Sequence, residues 1–517
     1  MQHPNTRLTW CHQVRKHARY QPDRAALKHL DRTTTWAQLD DRVRRLASAL
    51  AERGVEAGDR VLMVVTNRAE FVETLLAVNW LSAIAVPVNF RLVADEVAYL
   101  ADNSGATAIV VEEPLAPLVG GIRAENAVPC LVIGDATDGA GPGAELYEPV
   151  IGDAEPYAGE GPQDLLATAF IMYTSGTTGR PKGAMLSYEN LLGQTLTGVL
   201  SQPVGRPEDV NAIVAPMFHI AALGTMLPNL IAGNTQVIMP TGAFDVETYL
   251  DLMERERVSH CFLVPVQWQM VCASPTLAER DLALRVLTWG AAPATPAILR
   301  AMTESFPDAE IVAAFGQTEL SPVTCLLTGE DAIRKLGSVG RPVPLVDVRV
   351  VDPEMNDVRP GEVGEIVYRG PQVMQGYWQN PQATEEAFRG GWFHSGDLVR
   401  VDEDGFYYVV DRLKDMIISG GENIYCAEVE AVLADHPKVL DVALVGRPDA
   451  TWGETPVAIV VPKDPADPPS RDELVAYSAD RLASYKKPSD VLVLDAMPRN
   501  ASGKILKGPL RELAAQR

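Results

Sequence analysis

Short apolar segments that alternate with helical patterns are the feature that most limits the folds open to this chain. They recur through its first 320 residues as RVLMVV, AIAVPVN, TAIVV, AFIMY, NAIVA, TQVIM, HCFLV, LRVLTW and EIVAAF. These segments are apolar throughout and do not alternate, which is typical of strands buried on both faces of a parallel sheet. We therefore predict an α/β fold in which helices cover both faces of parallel sheets.

One helix is marked by its ends as well as by its apolar spacing. Thr35 and Gln38 have the spacing of a capping box, and Gly54 follows as a stop signal. The apolar residues between them fall on one helical face and are Leu39, Val43, Leu46 and Leu50.

The pattern changes after Gly337 and divides the chain into domains. The segments VDVRVVD, GEIVYRG and FYYVVD are joined by Gly, Pro and Asp turns, which predicts a small antiparallel barrel or sheet. A compact α+β pattern then runs to the end. We predict a large N-terminal domain over residues 1–412, with a β-barrel-like subdomain at about 337–412, and a small mobile α+β C-terminal domain over 413–517. The charged turn DRLKD between them is a candidate hinge.

Composition and charge narrow the function. The net charge is −23, which disfavours binding to nucleic acid or to an anionic membrane surface. The six cysteines show no CxxC spacing, which argues against a zinc site or a disulfide framework. No apolar run is long enough for a transmembrane segment, and the polar start lacks a signal core, so we predict a cytoplasmic protein. The last 37 residues are basic, which suits either an anionic ligand or a solvated helix end.

A loop rich in glycine and hydroxyl residues follows the predicted strand AFIMY. It reads YTSGTTGRPKG from Tyr173 to Gly183 and includes Lys182. Backbone N–H groups, hydroxyls and one ammonium group suit a polyphosphate ligand. The loop is not that of a P-loop nucleotidase, because Pro181 stands where that motif has glycine and Gly183 replaces its Ser or Thr.

Seven further motifs follow in a fixed order. They are PMFH at 216–219, GAAP at 290–293, FGQTE at 315–319, WFHSGD at 392–397, DRLKD at 411–415, SGGENI at 419–424 and PRNASGK at 498–504. With these motifs the chain resembles the adenylate-forming acyl-CoA synthetases, whose relatives include luciferases and peptide-synthetase adenylation domains. The resemblance covers nearly the whole chain and is strongest to bacterial fatty-acid–CoA ligases, including mycobacterial ones.

The resemblance implies a reaction in two steps. A carboxylate first attacks the α-phosphorus of ATP with Mg²⁺, giving acyl-AMP and pyrophosphate, and the thiol of CoA then displaces AMP. It also implies that the C-terminal domain rotates between the steps about Lys414, and that a homodimer is possible. The implied partners are a fatty or other apolar carboxylic acid and CoA.

The resemblance also assigns roles to individual residues. It implies Lys504, His219 and Thr318 as catalytic residues and Glu319 and Thr177 as metal ligands; a carboxylate beside a triphosphate requires a cation between them. The implied ATP and AMP contacts are Thr174, Ser175, Gly176, Thr177, Thr178, Gly179, Lys182, Gly290, Ala291, Ala292, Ala314, Phe315, Gly316, Gln317, Thr318, Asp397, Arg412 and Lys504. The implied CoA contacts are Ser419, Gly420, Gly421 and Glu422.

The acyl pocket is predicted from apolar residues around the same motifs. The predicted lining is His219, Ile220, Val264, Gln267, Trp268, Trp289 and Ala292. Trp289 either shortens the acyl tunnel or packs in the core behind the GAAP turn. A shortened tunnel leaves an aryl or cinnamyl acid as an alternative to a fatty acid. Two different functions also stay open: an acyl-AMP ligase that loads a carrier protein, and a non-catalytic nucleotide-binding protein.

Overall fold

The computed structural model describes residues 8–122, 128–174, 180–292, 294–329, 331–420, 422–499 and 505–516. The chain forms two compact units. The first comprises Met1–Asp347 and Tyr368–Phe393, and the second comprises Val348–Val367 and His394–Arg517. The second unit therefore holds most of the β-rich stretch as well as the C-terminal part. The domain boundary after residue 412 stays a prediction.

The first unit contains an eight-stranded sheet whose central strands are parallel. An antiparallel hairpin and one short strand extend it on one side. In spatial order the strands are Gly376–Tyr377, Lys182–Ser187, Thr168–Thr174, Ile84–Pro87, Arg60–Val64, Ala108–Glu112, Cys130–Ile133 and Glu145–Leu146.

A nine-stranded sheet completes the first unit, and its central strands are again parallel. Its spatial order is Arg341–Pro342, Val323–Thr328, Glu310–Gly316, Val286–Gly290, His260–Leu263, Val210–Ile213, Thr235–Ile238, Ala25–His29 and Arg32–Thr35. All nine apolar segments are strands in these two sheets, so the predicted parallel α/β architecture is confirmed.

Helices surround both sheets. In the first unit they are Trp10–Tyr20, Trp36–Glu52, Ala69–Trp80, Ala94–Ser104, Tyr147–Asp153, Tyr188–Ser201, Ile220–Ala232, Val246–Arg255, Pro265–Cys272, Pro296–Ser305, Asp331–Arg334 and Pro381–Ala387. The predicted capping box is present: the Thr35 hydroxyl accepts from the Gln38 N–H at 3.2 Å, and the Gln38 side chain accepts from the Thr35 N–H at 2.9 Å. The four apolar residues after it are buried, as the spacing predicts.

A buried carboxylate ties three of these helices together. Glu73 has no exposed surface and accepts hydrogen bonds from Arg42 at 2.7 and 2.8 Å and from Arg32 at 3.2 Å. The Tyr147 hydroxyl also donates to it, at 3.1 Å. Tyr147 is fully buried and begins a helix, although its surroundings in the sequence have the composition of a surface loop. A charge this deep is tolerated because every side of it is paired.

The second unit has two sheets. Four strands, Asp347–Val351, Val363–Arg369, Phe393–Val401 and Tyr407–Arg412, form the predicted β-rich part. The other sheet contains Ile417–Ser419, Glu422–Ile424, Val439–Asp449, Gly453–Pro462 and Asp490–Val493. The helices Cys426–Ala434, Arg471–Tyr477 and Lys507–Ala515 accompany it. Apolar residues on the two faces of this second sheet form two separate buried clusters.

Candidate active site

The glycine-rich loop connects two strands of a hairpin. Thr174 ends the first strand, Lys182 begins the second, and the two residues pair directly. The hairpin thus places a hydroxyl and an ammonium group at the base of the loop. Ser175, Gly176, Thr177, Thr178 and Gly179 were also predicted to bind nucleotide, and they lie outside the described residues.

Glu319 approaches this hairpin from the other sheet. It follows the strand Glu310–Gly316 in a short helical turn, Thr318–Leu320, and is only 7% exposed. Its Oε1 accepts a hydrogen bond from the Thr174 hydroxyl at 3.2 Å. Two motifs that lie 145 residues apart in sequence therefore meet at one carboxylate.

Tyr377 is a residue of this site that the sequence reasoning missed. Its hydroxyl donates to Oε1 of Glu319 at 3.1 Å, and the Lys182 ammonium lies 5.2 Å from the centre of its ring. Burial and the Glu319 carboxylate raise the pKa of the Tyr377 phenol, so the hydroxyl remains a proton donor. No recognised motif covers Tyr377. The sequence signal for this residue is a glycine followed by an aromatic residue. In the structure Gly376 adopts a φ of 147°, which favours glycine.

Two neighbouring strand ends form the predicted adenine-binding region. Gly290 pairs with Ala314, and a Cβ atom at Gly290 would lie 2.4 Å from the carbonyl oxygen of Ala314. Ala291 adopts a φ of 65°, and Ala292 is exposed. The structure therefore requires glycine at position 290 for backbone packing.

The segment after Ala314 supplies polar groups near the same turn. Phe315 pairs with Cys325 and Gly316 pairs with Val323, with a bulge between these two pairs. The side-chain nitrogen of Gln317 is buried and has no hydrogen-bond partner among the described residues. Thr318 is half-buried. A buried donor without a partner is costly, so the Gln317 amide suits a ligand that accepts a hydrogen bond.

His219 is held by a backbone clamp. The Asn67 side chain donates to the carbonyl of Ala215 at 3.0 Å and accepts from the N–H of Met217 at 2.8 Å. His219 then caps the helix Ile220–Ala232, its Nδ1 accepting from the N–H of Ala221 at 3.2 Å. The Asn67 hydrogen bonds and the helix cap together fix the orientation of the His219 side chain.

Two residues of the predicted acyl pocket, Trp289 and Trp268, pack against an apolar cluster. Trp289 pairs with Leu263 and Ala313 on neighbouring strands, so their side chains share one face of the sheet. That face packs against a buried cluster that includes Trp268 and Met302. Trp268 has no exposed surface, and its indole N–H donates to the carbonyl of Thr288 at 3.1 Å. Both tryptophans pack in the core, which matches the second of the two interpretations of Trp289.

The helix that His219 begins covers the opposite face of the same strands. Phe262 and Thr288 pair with each other on this face, which also carries His260. His260 contacts Asn229 of that helix, Nε2 to Oδ1, at 3.2 Å. A Cβ atom at Gly290 would lie 3.3 Å from Cε2 of Phe262, so the phenyl ring lies beside the GAAP turn. Strand alternation places Phe262 and Thr288 on the face opposite Leu263 and Trp289.

The remaining residues of the predicted acyl pocket differ in burial and in their hydrogen bonds. Ile220 is buried at the start of the His219 helix. The Gln267 side chain accepts from the N–H of Val264 at 3.1 Å and so caps the helix Pro265–Cys272. Gln267 therefore has a structural role already, and Val264 is half-buried beside it.

Asp397 and Arg412 form an ion pair in the second unit. They face each other across the strands Phe393–Val401 and Tyr407–Arg412, with Nε and Oδ1 2.7 Å apart. Asp397 is 4% exposed, whereas the Arg412 side chain is 40% exposed. The ion pair therefore joins two residues that the resemblance implies as nucleotide contacts.

The candidate hinge and CoA loop also lie in the second unit. Lys414 is exposed, and its carbonyl accepts from Arg511 at 3.0 Å. Ser419 and Glu422 pair at the end of a tight hairpin, and the N–H of Gly420 donates to the carbonyl of Trp452 at 2.7 Å. Gly421 and Lys504 lie outside the described residues.

Within the described ranges, no three His, Cys, Asp or Glu side chains converge as a metal cage. Across the same ranges, no helix is both long and apolar enough to cross a bilayer.

Comparison with known proteins decides the family. Residues 14–378 match the sequence model described as AMP-binding enzyme, and residues 428–504 match that of the AMP-binding enzyme C-terminal domain. The chain belongs to the AMP-binding enzyme family. It is an AMP-forming acid–thiol ligase of the acyl-CoA synthetase branch.

Similar proteins include ligases for aromatic and for fatty acids. The chain is 41% identical to feruloyl-CoA synthase from Amycolatopsis sp over 96% of its own length and 97% of the relative's. It is 38% identical to the long-chain-fatty-acid–CoA ligase FadD13 from Mycobacterium tuberculosis over 92% of each. Its fold matches o-succinylbenzoate CoA synthetase (MenE) from Bacillus subtilis in complex with ATP and magnesium ion, at TM-score 0.84 and 32% identity over 97% and 98% of the two chains.

Proposed function

We propose that this ligase converts an aromatic carboxylic acid into its CoA thioester, with MgATP as the activating substrate. A carboxylate oxygen attacks the α-phosphorus of ATP and pyrophosphate leaves. The CoA sulfur then attacks the acyl carbon and AMP leaves with that oxygen. The catalytic work is to position the reactants and stabilise charge on the phosphoryl group.

The main support for a nucleotide site is the hydrogen bond between Glu319 and Thr174, at the base of the glycine-rich loop. Mg²⁺ is commonly held by one or two carboxylates together with substrate phosphates and water. Glu319 fits this pattern, because it is a single buried carboxylate next to a loop suited to polyphosphate. When bound, the cation would neutralise phosphate charge. Glu319 would hold it with the predicted help of Thr177.

The other nucleotide contacts follow from the positions of the strand ends. Lys182 lies at the base of the loop and would meet phosphate oxygens. Gly290, Ala291, Ala292, Ala314, Phe315, Gly316 and Gln317 would enclose the adenine, and Thr318 would contact the α-phosphate. Asp397, oriented by Arg412, would accept the ribose hydroxyls.

The C-terminal residues complete the proposed cycle. Lys504 would stabilise the reacting carboxylate and α-phosphate during adenylation. The loop Ser419–Glu422 would admit the pantetheine arm in the second step, after rotation about Lys414. A homodimer and a cytoplasmic location also stay predictions.

Phe262 supports an aromatic acid. Its ring lies beside Gly290, on the sheet face that the His219 helix covers. Aromatic pairs contribute about 0.5–1.5 kcal/mol beyond their buried area, which would favour an aryl group over an alkyl chain here. Feruloyl-CoA synthase and the o-succinylbenzoate enzyme, both named for aromatic acids, are among the similar proteins.

A fatty acid is the second candidate. The similarity to FadD13 favours it, as does the apolar start of the His219 helix, Ile220 to Leu223. Transfer of the acyl group to a carrier protein in place of CoA is a third candidate.

The test is a substrate panel measured by pyrophosphate release and by thiol consumption. The panel should contain cinnamic, hydroxycinnamic, arylacetic, benzoic and C6–C16 fatty acids. We expect the highest kcat/KM for an aryl acid, with CoA consumed in equal amount. A preference for fatty acids would overturn the aromatic proposal. Pyrophosphate release without thiol consumption would show that CoA is not the acceptor.

A pair of variants links the panel to the structure. Phe262→Leu should lower kcat/KM for aryl acids about 3–10-fold relative to fatty acids, the loss of one aromatic contact. Phe244→Leu is the matched control, because Phe244 packs against Tyr249 and the cluster on the opposite sheet face. The control should leave the ratio unchanged. Equal effects of both variants would remove Phe262 from the acyl site.

A further inference from the structure

Glu319 has an asymmetric set of partners. Both hydrogen bonds to its carboxylate, from Thr174 at 3.2 Å and from Tyr377 at 3.1 Å, end on Oε1. No described residue donates to Oε2. A carboxylate held in this way presents one oxygen to its surroundings in a fixed direction.

The strand that carries Tyr377 is tied to both sides of the site. The N–H of Met374 donates to the carbonyl of Glu319 at 2.8 Å. The N–H groups of Gln375 and Trp378 donate to the carbonyls of Met185 and Gly183 at 3.0 and 2.7 Å. Tyr377 therefore comes from a backbone segment whose position is set by the Glu319 turn and by the hairpin together.

Local packing restricts Tyr377 as well. Gly376 adopts a φ of 147°, and a Cβ there would lie 2.7 Å from Cγ2 of Thr384. The N–H of Tyr377 donates to the Thr384 hydroxyl at 2.9 Å. The backbone is thus fixed on both sides of the phenol, whose hydroxyl reaches Glu319.

We infer that Tyr377 is a positioning residue for the magnesium-binding carboxylate. Its hydroxyl and that of Thr174 occupy Oε1, which leaves Oε2 free to bind the cation as a single oxygen ligand. The inference rests on the proposed function of Glu319. Partners that orient a metal ligand typically change metal affinity or activity 10–100-fold when they are removed.

The test uses Tyr377→Phe in the full-length enzyme. This change removes one oxygen and keeps the ring that faces Lys182. With Mn²⁺ as probe, we expect its apparent Kd in the presence of ATP, measured by electron paramagnetic resonance, to rise about 10-fold or more. ATP binding without metal, measured by calorimetry, should change less than twofold. The Mg²⁺ concentration for half-maximal ATP–pyrophosphate exchange should rise in parallel.

Two further variants separate positioning from loss of structure. Tyr188→Phe is the matched control, because its buried hydroxyl also donates one hydrogen bond, to the carbonyl of Asn79 at 3.0 Å. It should leave the Mn²⁺ affinity unchanged. Thr174→Val removes the other donor to Oε1 and should weaken Mn²⁺ binding in the same direction, so it tests the inference even where Tyr377→Phe does not fold.

A double-variant cycle decides the mechanism. In a Glu319→Gln background, Tyr377→Phe should cause no further loss of Mn²⁺ affinity, because the oriented carboxylate is already gone. Additive losses would overturn the inference. Wild-type Mn²⁺ affinity in Tyr377→Phe would overturn it too, while an active wild-type enzyme leaves the proposed function intact. Absence of ATP–pyrophosphate exchange in the wild type with every acid would instead overturn the proposed function.

Discussion

Replacing Trp289 by alanine tests on which sheet face the acyl group binds. The structure places the indole on the face of Leu263 and Ala313, away from Phe262 and Thr288. Trp289→Ala should therefore destabilise the protein without changing its choice of acid. A gate at the same position would do the opposite.

The expected loss of stability follows from the surroundings of the indole. Truncating a buried tryptophan costs about 3–5 kcal/mol. Trp289 is only half-buried, and its indole nitrogen has no hydrogen-bond partner among the described residues. Removing a buried donor that lacks a partner recovers about 1 kcal/mol or more. We expect a net loss of about 2–3 kcal/mol, which lowers Tm by about 2–4 °C in a unit of this size.

The assay combines thermal unfolding with kcat/KM for aryl and alkyl acids of increasing length. The ratios among acids should stay within about twofold of wild type. A gate that admitted two further methylene groups would contribute about 1.6 kcal/mol, roughly a tenfold preference for longer acids. Such a shift, with short acids unaffected, would refute the placement of Trp289. Thr288→Leu on the opposite face is the comparison, and it should lower kcat/KM for the bulkiest acids at least tenfold.

Three further predictions concern charged and titratable groups. Lys504→Ala should slow adenylation about 10²–10³-fold, and supplied acyl-AMP should still react with CoA at nearly the wild-type rate; equal losses in both half-reactions would contradict its role. Glu73→Gln should lower the free energy of unfolding by about 1–3 kcal/mol, measured in urea, because it removes the fully buried carboxylate that Arg42 and Arg32 share and leaves them Glu148 and Glu70 as partners. Burial lowers the pKa of His260 to about 4, below its ordinary value of 6.5, so its contribution to stability is full above pH 6.5 and is lost as the pH falls toward 4. Stability of wild type and His260→Gln should therefore converge over that interval by up to about 3 kcal/mol, and parallel pH profiles would be the contrary result.

The sequence predicted secondary structure best where several consecutive residues are all buried. Uniformly apolar segments predicted nine strands between Arg60–Val64 and Glu310–Gly316, because a strand covered on both faces has no polar side. They did not predict Cys130–Ile133, Glu145–Leu146 or Lys182–Ser187. The capping box at Thr35 predicted the start of a helix for a similar local reason, since its two hydrogen bonds join residues three apart.

Local sequence patterns could not predict contacts between segments that are distant in the sequence. Tyr377 reaches Glu319 only because a two-residue strand joins the edge of the hairpin, and no periodicity marks so short a strand. The two faces of the strand ending at Gly290 also differ in what covers them. Alternation shows that Thr288 and Trp289 point in opposite directions, but it does not show which helices cover each face. The lining predicted from the sequence includes Trp289, whereas the acyl site that we propose uses Phe262 on the opposite face.

The strand Gly376–Tyr377 is synthesised long after the strand edge that it covers. The hairpin edge that it covers, Lys182–Ser187, is complete roughly 190 residues before the covering strand is made, a delay of about 10–40 s at usual translation rates. During that interval the edge presents unpaired backbone groups, which favour pairing with other chains. A product that terminates between these two segments would contain the glycine-rich loop but keep this edge open, and it should aggregate more readily than the full chain.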